Sequence, residues 1–365
     1  MFERRLYHHV DWAMVGAILA LCMIGLAQIY SATYSQQSGV SSIFYTQIWA
    51  ILIGFIALLI ALSIDYRSLA DKSHFLYIAI VALLIGVLVF GVVRGGSRRW
   101  IDLGPMNLQP SEFAKATLAL VLAKFFGESR RGAITRIDFL IAAAITAVPL
   151  LLITQQPDLG TAVTLVPVLF AAAYVAGMPM RIFGILAIAA LLAAPVAWKF
   201  ALKDYQKERI STFINPSQDA RGAGYQQIQA RITVGSGGPF GKGFQGGTQG
   251  QLRFLPVAHN DFIFSVLAEE HGFVGVVVAL GLYLFVILRS LEAARLAKDR
   301  LGAYLVLGVL ASFTFQVIYN ITMSAGLAPV KGLTLPLMSY GGSSMIATLA
   351  GFGLILNVRM RRFTN

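Results

Sequence analysis

The chain has 365 residues, 57% of them hydrophobic and 13% charged, with 29 Lys and Arg against 17 Asp and Glu for a formal charge of +12. A soluble domain is about one quarter charged, so this composition excludes an ordinary soluble fold and reads as an integral membrane protein. In so apolar a chain the positive balance reads as basic cytoplasmic loops, with no nucleic-acid partner. Cys22 is the sole cysteine, so no intramolecular disulfide can form.

A membrane-spanning helix needs roughly 20 apolar residues. Ten runs qualify: 12–31, 46–63, 75–93, 113–126, 139–154, 161–177, 182–200, 262–288, 304–325 and 343–358, of which the fourth, fifth and tenth are short. The first is a full span rather than a short signal-peptide core, so it is expected to remain as a signal anchor. Fifteen Lys and Arg, among them Arg4, Arg5, Arg130, Arg131, Arg289 and Arg359, fall in short loops on one side. Only Arg94, Arg98, Arg99 and Lys331 fall on the other. The positive-inside rule then places both termini in the cytoplasm. The expected fold is an all-α integral membrane protein, a single polytopic domain over residues 1–365 with about ten transmembrane helices.

Ionisable residues at membrane depth are candidate functional sites by default. Ahead of the fourth run, "NLQPSEFAK" sets Pro110 at a helix start and Glu112 and Lys115 three apart on one face. This pair either locks the bundle or shapes a site. Between the fifth and sixth runs, "ITQQPDLGTA" places Asp158 directly before a new helix, as an N-cap or as a functional carboxylate.

Residues 201–260 form one long extracytoplasmic loop, too long for a simple connector and apolar enough to be partly ordered. Seven basic residues, including Lys203, Arg209, Arg221, Lys242 and Arg253, face three acids there. That balance suits anionic lipid head groups, or is simply tolerated in a long loop. Within it, residues 235–250 carry glycine at eight of sixteen positions. They allow close backbone approach or sharp turns, but Lys242 is followed by Gly243, so this is no Walker A loop.

The eighth run opens as "FLPVAHNDFIFSVLAEEHGFVG". On a straight helix at roughly 100° per residue, Glu269 lies about 80° and Glu270 about 180° from Asp261, so the three acids cannot share one cavity. Asp261 at the mouth is the candidate base. The two Glu, about 12 Å deeper at 1.5 Å rise per residue, read as structural and need partners such as Lys115 or helix termini. His271–Gly272 is expected to loosen the helix just beyond them. Before the last run, "LTLPLMSYGGSSM" brings Ser339, Ser343 and Ser344 to a helix start, as caps or as part of an anion site. No H-E-x-x-H, C-x-x-C or D-x-D occurs, so no metal site is legible.

Together "RRWIDLGPMNLQPSEFAK", "QQPDLGTA", "GSGGPFGKG", "GTQGQLRFLPVAHNDFIFSVLAEEHG" and "PLMSYGGSS" resemble the SEDS (shape, elongation, division, sporulation) family across nearly the whole chain. "GKGFQGGTQGQLRFLP" and the short tails look more like the elongation member than the division member. The resemblance implies a ten-helix peptidoglycan glycosyltransferase that polymerises lipid II at the outer face of the cytoplasmic (inner) membrane. It places the family's essential aspartate on Asp261, its membrane Glu/Lys pair on Glu112 and Lys115, and its "QPDLG" aspartate on Asp158. It also implies a class B penicillin-binding protein as partner, with other elongation-complex membrane proteins, and a divalent cation, Mg or Mn. "LPVAHND" departs from the more acidic form of relatives at the residues around His259.

On that reading Asp261 takes the acceptor 4-hydroxyl proton during an inverting transfer. Arg98, Arg209 and Lys242 are the expected cations for the diphosphate, and Glu112, Lys115, Asp158, His259 and Ser343 shape the cavity. A lipid-linked sugar transporter and a non-catalytic scaffold are the rivals. Charge placement favours the polymerase, because Asp261, Asp158 and the basic loop gather on the outer side and no matching cytoplasmic cluster is visible.

Overall fold

Each of the ten apolar runs forms a helix, and the ends are set by caps more than by hydropathy. The computed structural model describes residues 9–34, 39–94, 97–102, 104, 107–128, 134–200, 204–219, 222–248, 254–255 and 258–363. Arg4, Arg5, Arg130, Arg131, Lys203, Arg221 and Arg253 lie outside the described residues. The spans are α1 (Trp12–Thr33), α2 (Ser42–Ser63), α4 (Ser73–Phe90), α5 (Pro110–Gly127), α6 (Arg136–Gln155), α7 (Leu159–Val175), α8 (Met180–Phe200), α11 (Ile263–Arg295), α12 (Arg300–Ser324) and α13 (Gly342–Met360). Eight of them are long and apolar enough to cross a membrane. Of the other two, α7 has 17 residues and α5 carries Glu112, Lys115 and Lys124.

The three runs that looked short all extend beyond their apolar limits, α5 and α6 by three residues at their starts. Pro110 opens α5 and Thr135 with Asp138 forms a capping box on α6. The sequence reading missed the short helix α3 (Tyr66–Asp71) and a small antiparallel sheet, β1 (Val92–Arg94), β2 (Ser97–Asp102) and β3 (Asn107–Leu108). The long loop contains two helices, α9 (Asp204–Ile214) and α10 (Ala223–Ser236).

Glycines let α2 and α13 approach closely, as small residues do between membrane helices. A Cβ on Gly353 would lie 2.5 Å from the Leu58 carbonyl oxygen, and one on Gly54 2.5 Å from Leu349 Cδ1. At the end of the bundle holding the start of α1 and the end of α13, Asp11 pairs with Arg289 at 2.9 Å and Arg359 at 2.8 Å. Glu292 joins them at 2.8 Å from Arg289. The sequence reading saw no acidic and basic cluster at this end, because its members come from three distant segments. The side-chain amide of Asn357 donates to the carbonyls of Ala61, Leu62 and Ile64, closing the end of α2 against α13.

The helix α11 is broken at Gly272 (φ 63°, ψ −159°), within the expected weak point at His271–Gly272. The break exposes backbone groups that water cannot reach in a bilayer. The glycine-rich segment satisfies them. Lys242 and Gly243 N–H groups donate to the carbonyls of Glu269 and Glu270, each at 3.0 Å. Phe273 and Val274 N–H groups donate to Gly238 and Pro239 at 2.9 and 3.1 Å. The glycines here staple a broken helix.

The same docking gives the deep acids their partners. Lys242 Nζ lies 2.6 Å from Glu269 Oε1, and the Ser31 hydroxyl donates to Glu270. Lys115 is not their partner: it lies 2.7 Å from Glu112 Oε2 and donates to Gln316 at 3.0 Å.

Candidate active site

At the opposite end of the bundle from Asp11, a cavity of about 630 Å³ is lined by Arg99, Trp100, Gln109, Glu112, Asn260, Asp261, Gly332, Tyr340 and Ser343 among others. It gathers the loops before α5, α7, α11 and α13, four places that the sequence singled out separately.

The small sheet decides which arginine enters. Arg99 lines the cavity, stacks over the Trp100 ring at 4.4 Å and lies 3.3 Å from Asp158. Arg98, the expected cation, faces away and donates to the carbonyls of Leu88 and Val89 at 3.4 and 3.3 Å. Asp158 is buried, and its carboxylate both caps a helix and faces the cavity's arginine. It caps α7 through Thr161 N–H at 3.1 Å, and it accepts from Gln109 at 2.8 Å while facing Arg99.

Ser343 ties the start of α13 to β3 and α5. Its hydroxyl donates to the Asn107 carbonyl and accepts from Gln109 N–H, both at 2.9 Å. Glu112 lines the cavity floor with Lys115 behind it. His259 does not line the cavity. Its carbonyl accepts from Tyr340 N–H at 3.0 Å and its ring meets the Tyr340 ring edge-on, so it shapes the wall through Tyr340. Lys242 is likewise absent from the lining, held at the Gly272 break by Glu269. Arg209 does not line the cavity either, yet its charge acts on Asp261.

Asp261 stands at the cavity wall just before α11, half-buried. Its carboxylate makes no hydrogen bond or ion pair among the described residues, whereas its carbonyl accepts from Asn320 Nδ2 at 2.9 Å. The same amide donates to the Leu333 carbonyl at 2.6 Å, clamping two walls together. Burial pushes the Asp261 carboxyl up to about 6, raised further by Asp158 and opposed by Arg99 and Arg209. A carboxylate so placed is free to take a proton from a ligand near neutral pH, with a guanidinium at hand for an anion.

Residues 12–363 match the model of a family described as cell cycle proteins, FtsW/RodA/SpoVE. The chain is 36% identical over 354 residues to the peptidoglycan glycosyltransferase MrdB of Escherichia coli strain K12, covering 97% of this chain and 94% of that one. Its fold matches a chain from a structure described as the coordination of polymerization and crosslinking by a peptidoglycan synthase complex. There the TM-score is 0.85 at 34% identity, over 98% of this chain and 99% of that one. It also matches the crystal structure of the rod shape determining protein RodA of Thermus thermophilus, with TM-score 0.73, 32% identity and 98% of each chain covered.

Proposed function

The chain belongs to the FtsW/RodA/SpoVE family, and on that premise we propose that it is a peptidoglycan glycosyltransferase polymerising lipid II, with Asp261 as general base. The observation that carries this reading is the unpaired, half-buried carboxylate of Asp261 in a cavity that also holds Arg99. The protein is an integral membrane protein. Both termini in the cytoplasm and the cavity at the outer face of the inner membrane follow from the loop charges.

The acceptor 4-hydroxyl loses its proton to an Asp261 oxygen as its own oxygen forms a bond to the anomeric carbon of the donor. The bond from that carbon to the diphosphate oxygen breaks, the electron pair leaves with the diphosphate, and α configuration becomes β. Arg99 offsets the charge that grows on the leaving diphosphate, taking the role that the sequence assigned to Arg98. Asp158 and the Trp100 ring hold the guanidinium in place. Glu112, Lys115 and Ser343 fix the cavity floor.

Among the described residues no group of three His, Cys, Asp or Glu side chains is placed to hold a metal by itself. Asn260, whose buried Oδ1 has no hydrogen-bond partner, would offer a hard divalent cation one neutral oxygen, the remaining ligands coming from phosphates, and leaves the Asp261 carboxylate free as base. Bound there, Mg or Mn would offset diphosphate charge.

A class B penicillin-binding protein is the proposed partner, within the elongation machinery. The direct test is a gel assay of purified protein with labelled lipid II, with and without that transpeptidase. Glycan ladders support the reading, and their absence in both arms removes it. Transport, the rival, is separated by the same assay, because a transporter yields no glycan ladder.

Two further outcomes are expected. Because the base must be ionised, and its carboxyl titrates at about 6 between Arg99, Arg209 and Asp158, kcat/KM holds above that pH and falls about tenfold per unit well below it. A rate independent of pH from 7 to 5 would exclude Asp261 as the titrating base. Arg99→Gln lowers kcat by about 10- to 100-fold, whereas Arg98→Gln stays close to the parent. Equal losses in the two variants would refute the choice between them.

A further inference from the structure

Helix α12 carries a row of polar side chains at membrane depth. Ser312, Gln316, Asn320 and Ser324 recur every four residues, so they follow one stripe of the helix, and all four are buried. Asn320 clamps the cavity wall through its Nδ2, as described above. Ser312 Oγ and Gln316 Nε2 have no hydrogen-bond partner among the described residues, although Ser312 is 4% and Gln316 2% exposed. A polar group left unpaired is costly inside a bilayer, where lipid offers it no partner.

Both residues line a second cavity, of about 30 Å³, between α5, α12 and α13. Glu112 lines this chamber and the large cavity alike, so it stands between the two. Lys115, also in the lining, lies 2.7 Å from Glu112 Oε2 and donates to Gln316 Oε1 at 3.0 Å. An ammonium only donates, so the Gln316 oxygen faces it and the amide nitrogen is turned toward another acceptor. Deeper in, the lining becomes apolar, with the Phe313 and Phe352 rings edge-on at 4.9 Å.

The size and chemistry of the chamber select its occupant. A water molecule needs roughly 10 to 15 Å³ of such space and two to four polar partners. The chamber therefore has room for about two waters, and none for a sugar or a prenyl chain. A cation would meet the Lys115 ammonium and an anion the Glu112 carboxylate, so a neutral ligand suits it best.

We infer that the chamber behind Glu112 binds about two water molecules through Ser312 and Gln316, and that Gln316 is a positioning residue for the cavity floor. Gln316 takes one donor bond of Lys115 on one side and anchors water on the other. Lys115 is thereby fixed, and it fixes Glu112 Oε2 in turn. The second Glu112 oxygen is not used by this pair. On the large-cavity side a substrate hydroxyl or amide N–H can donate to it. The kinetic consequence rests on the glycosyl-transfer reading above, whereas the water site does not.

The test of the site is X-ray hydroxyl-radical footprinting of the purified full-length protein, which marks side chains that lie beside bound water. Phe313 and Phe352 are buried from bulk solvent, yet both should be oxidised, while Phe126, equally buried and outside this lining, stays unmarked. Gln316→Met, which keeps the length of the side chain without its amide, should lower the labelling, and adding Ser312→Ala should abolish it. Ser312→Thr retains the hydroxyl and should retain the labelling. Phe313 and Phe352 as unmarked as Phe126 in wild type, or labelling unchanged in the double variant, overturns the water site.

A kinetic arm tests the positioning role. Gln316→Met should raise KM for lipid II about tenfold, the weight of one hydrogen bond, with kcat and Tm near the parent. An unchanged KM, or a lowered Tm with kcat falling alongside, overturns that role. If wild type makes no glycan at all, the glycosyltransferase reading fails, and the footprinting still decides the water site.

Discussion

Purified Asp261→Asn protein is expected to polymerise lipid II about 10²- to 10⁴-fold more slowly than the parent, the range for removing a positioned general base. Asn keeps the size of the side chain and loses the proton acceptor. The loss should fall on kcat, since the cavity wall is unchanged. Stability should be preserved, because the carboxylate makes no hydrogen bond or ion pair among the described residues. The Asn320 amide holds this residue by its backbone carbonyl, which the substitution leaves intact. The measurement is ladder formation over time together with an unfolding curve in detergent. A variant with parental Tm and near-parental rate would remove Asp261 from the chemistry, and a variant that unfolds would show a structural role instead.

Replacing Gly272 by Ala should be strongly damaging although the residue lies away from the cavity. Its backbone angles lie in a region that is essentially restricted to glycine. A Cβ there would also lie 2.2 Å from Gly241 N and 2.7 Å from Phe240 C, both backbone atoms that cannot swing aside. Backbone strain and overpacking each cost about 1 to 3 kcal/mol, so a loss of about 3 kcal/mol or more is expected. Gly235→Ala, in α10 with no atom within 4 Å of the added carbon, is the neutral control. Thermal unfolding of both variants decides the matter. If Gly272→Ala melts with the control, the glycine-rich segment does not hold the break.

The spans were legible because a bilayer imposes length and apolarity on each helix separately. The helix starts at Pro110 and Asp158 were legible as well, whereas the capping box of Thr135 and Asp138 was not, because it lies outside the apolar run. The separation of Asp261 from Glu269 and Glu270 was readable from helical period alone, and so was the weak point near Gly272. The partners of the two Glu were not. Ser31 is 239 residues from Glu270, and Lys242 reaches Glu269 only because a glycine-rich loop docks on a break. That Arg99 and not Arg98 lines the cavity was not legible, because no hydropathy signal marks the six-residue strand that carries both.

The amide of Asn320 touches neither Asp261 nor Lys331 through a side chain. It grips the main chain at Asp261 and at Leu333. The base and the Leu333 segment are thereby held in fixed register whatever side chain position 331 carries. Side chains at either position can therefore be exchanged without altering the spacing of the two walls, which is set by main-chain contacts alone.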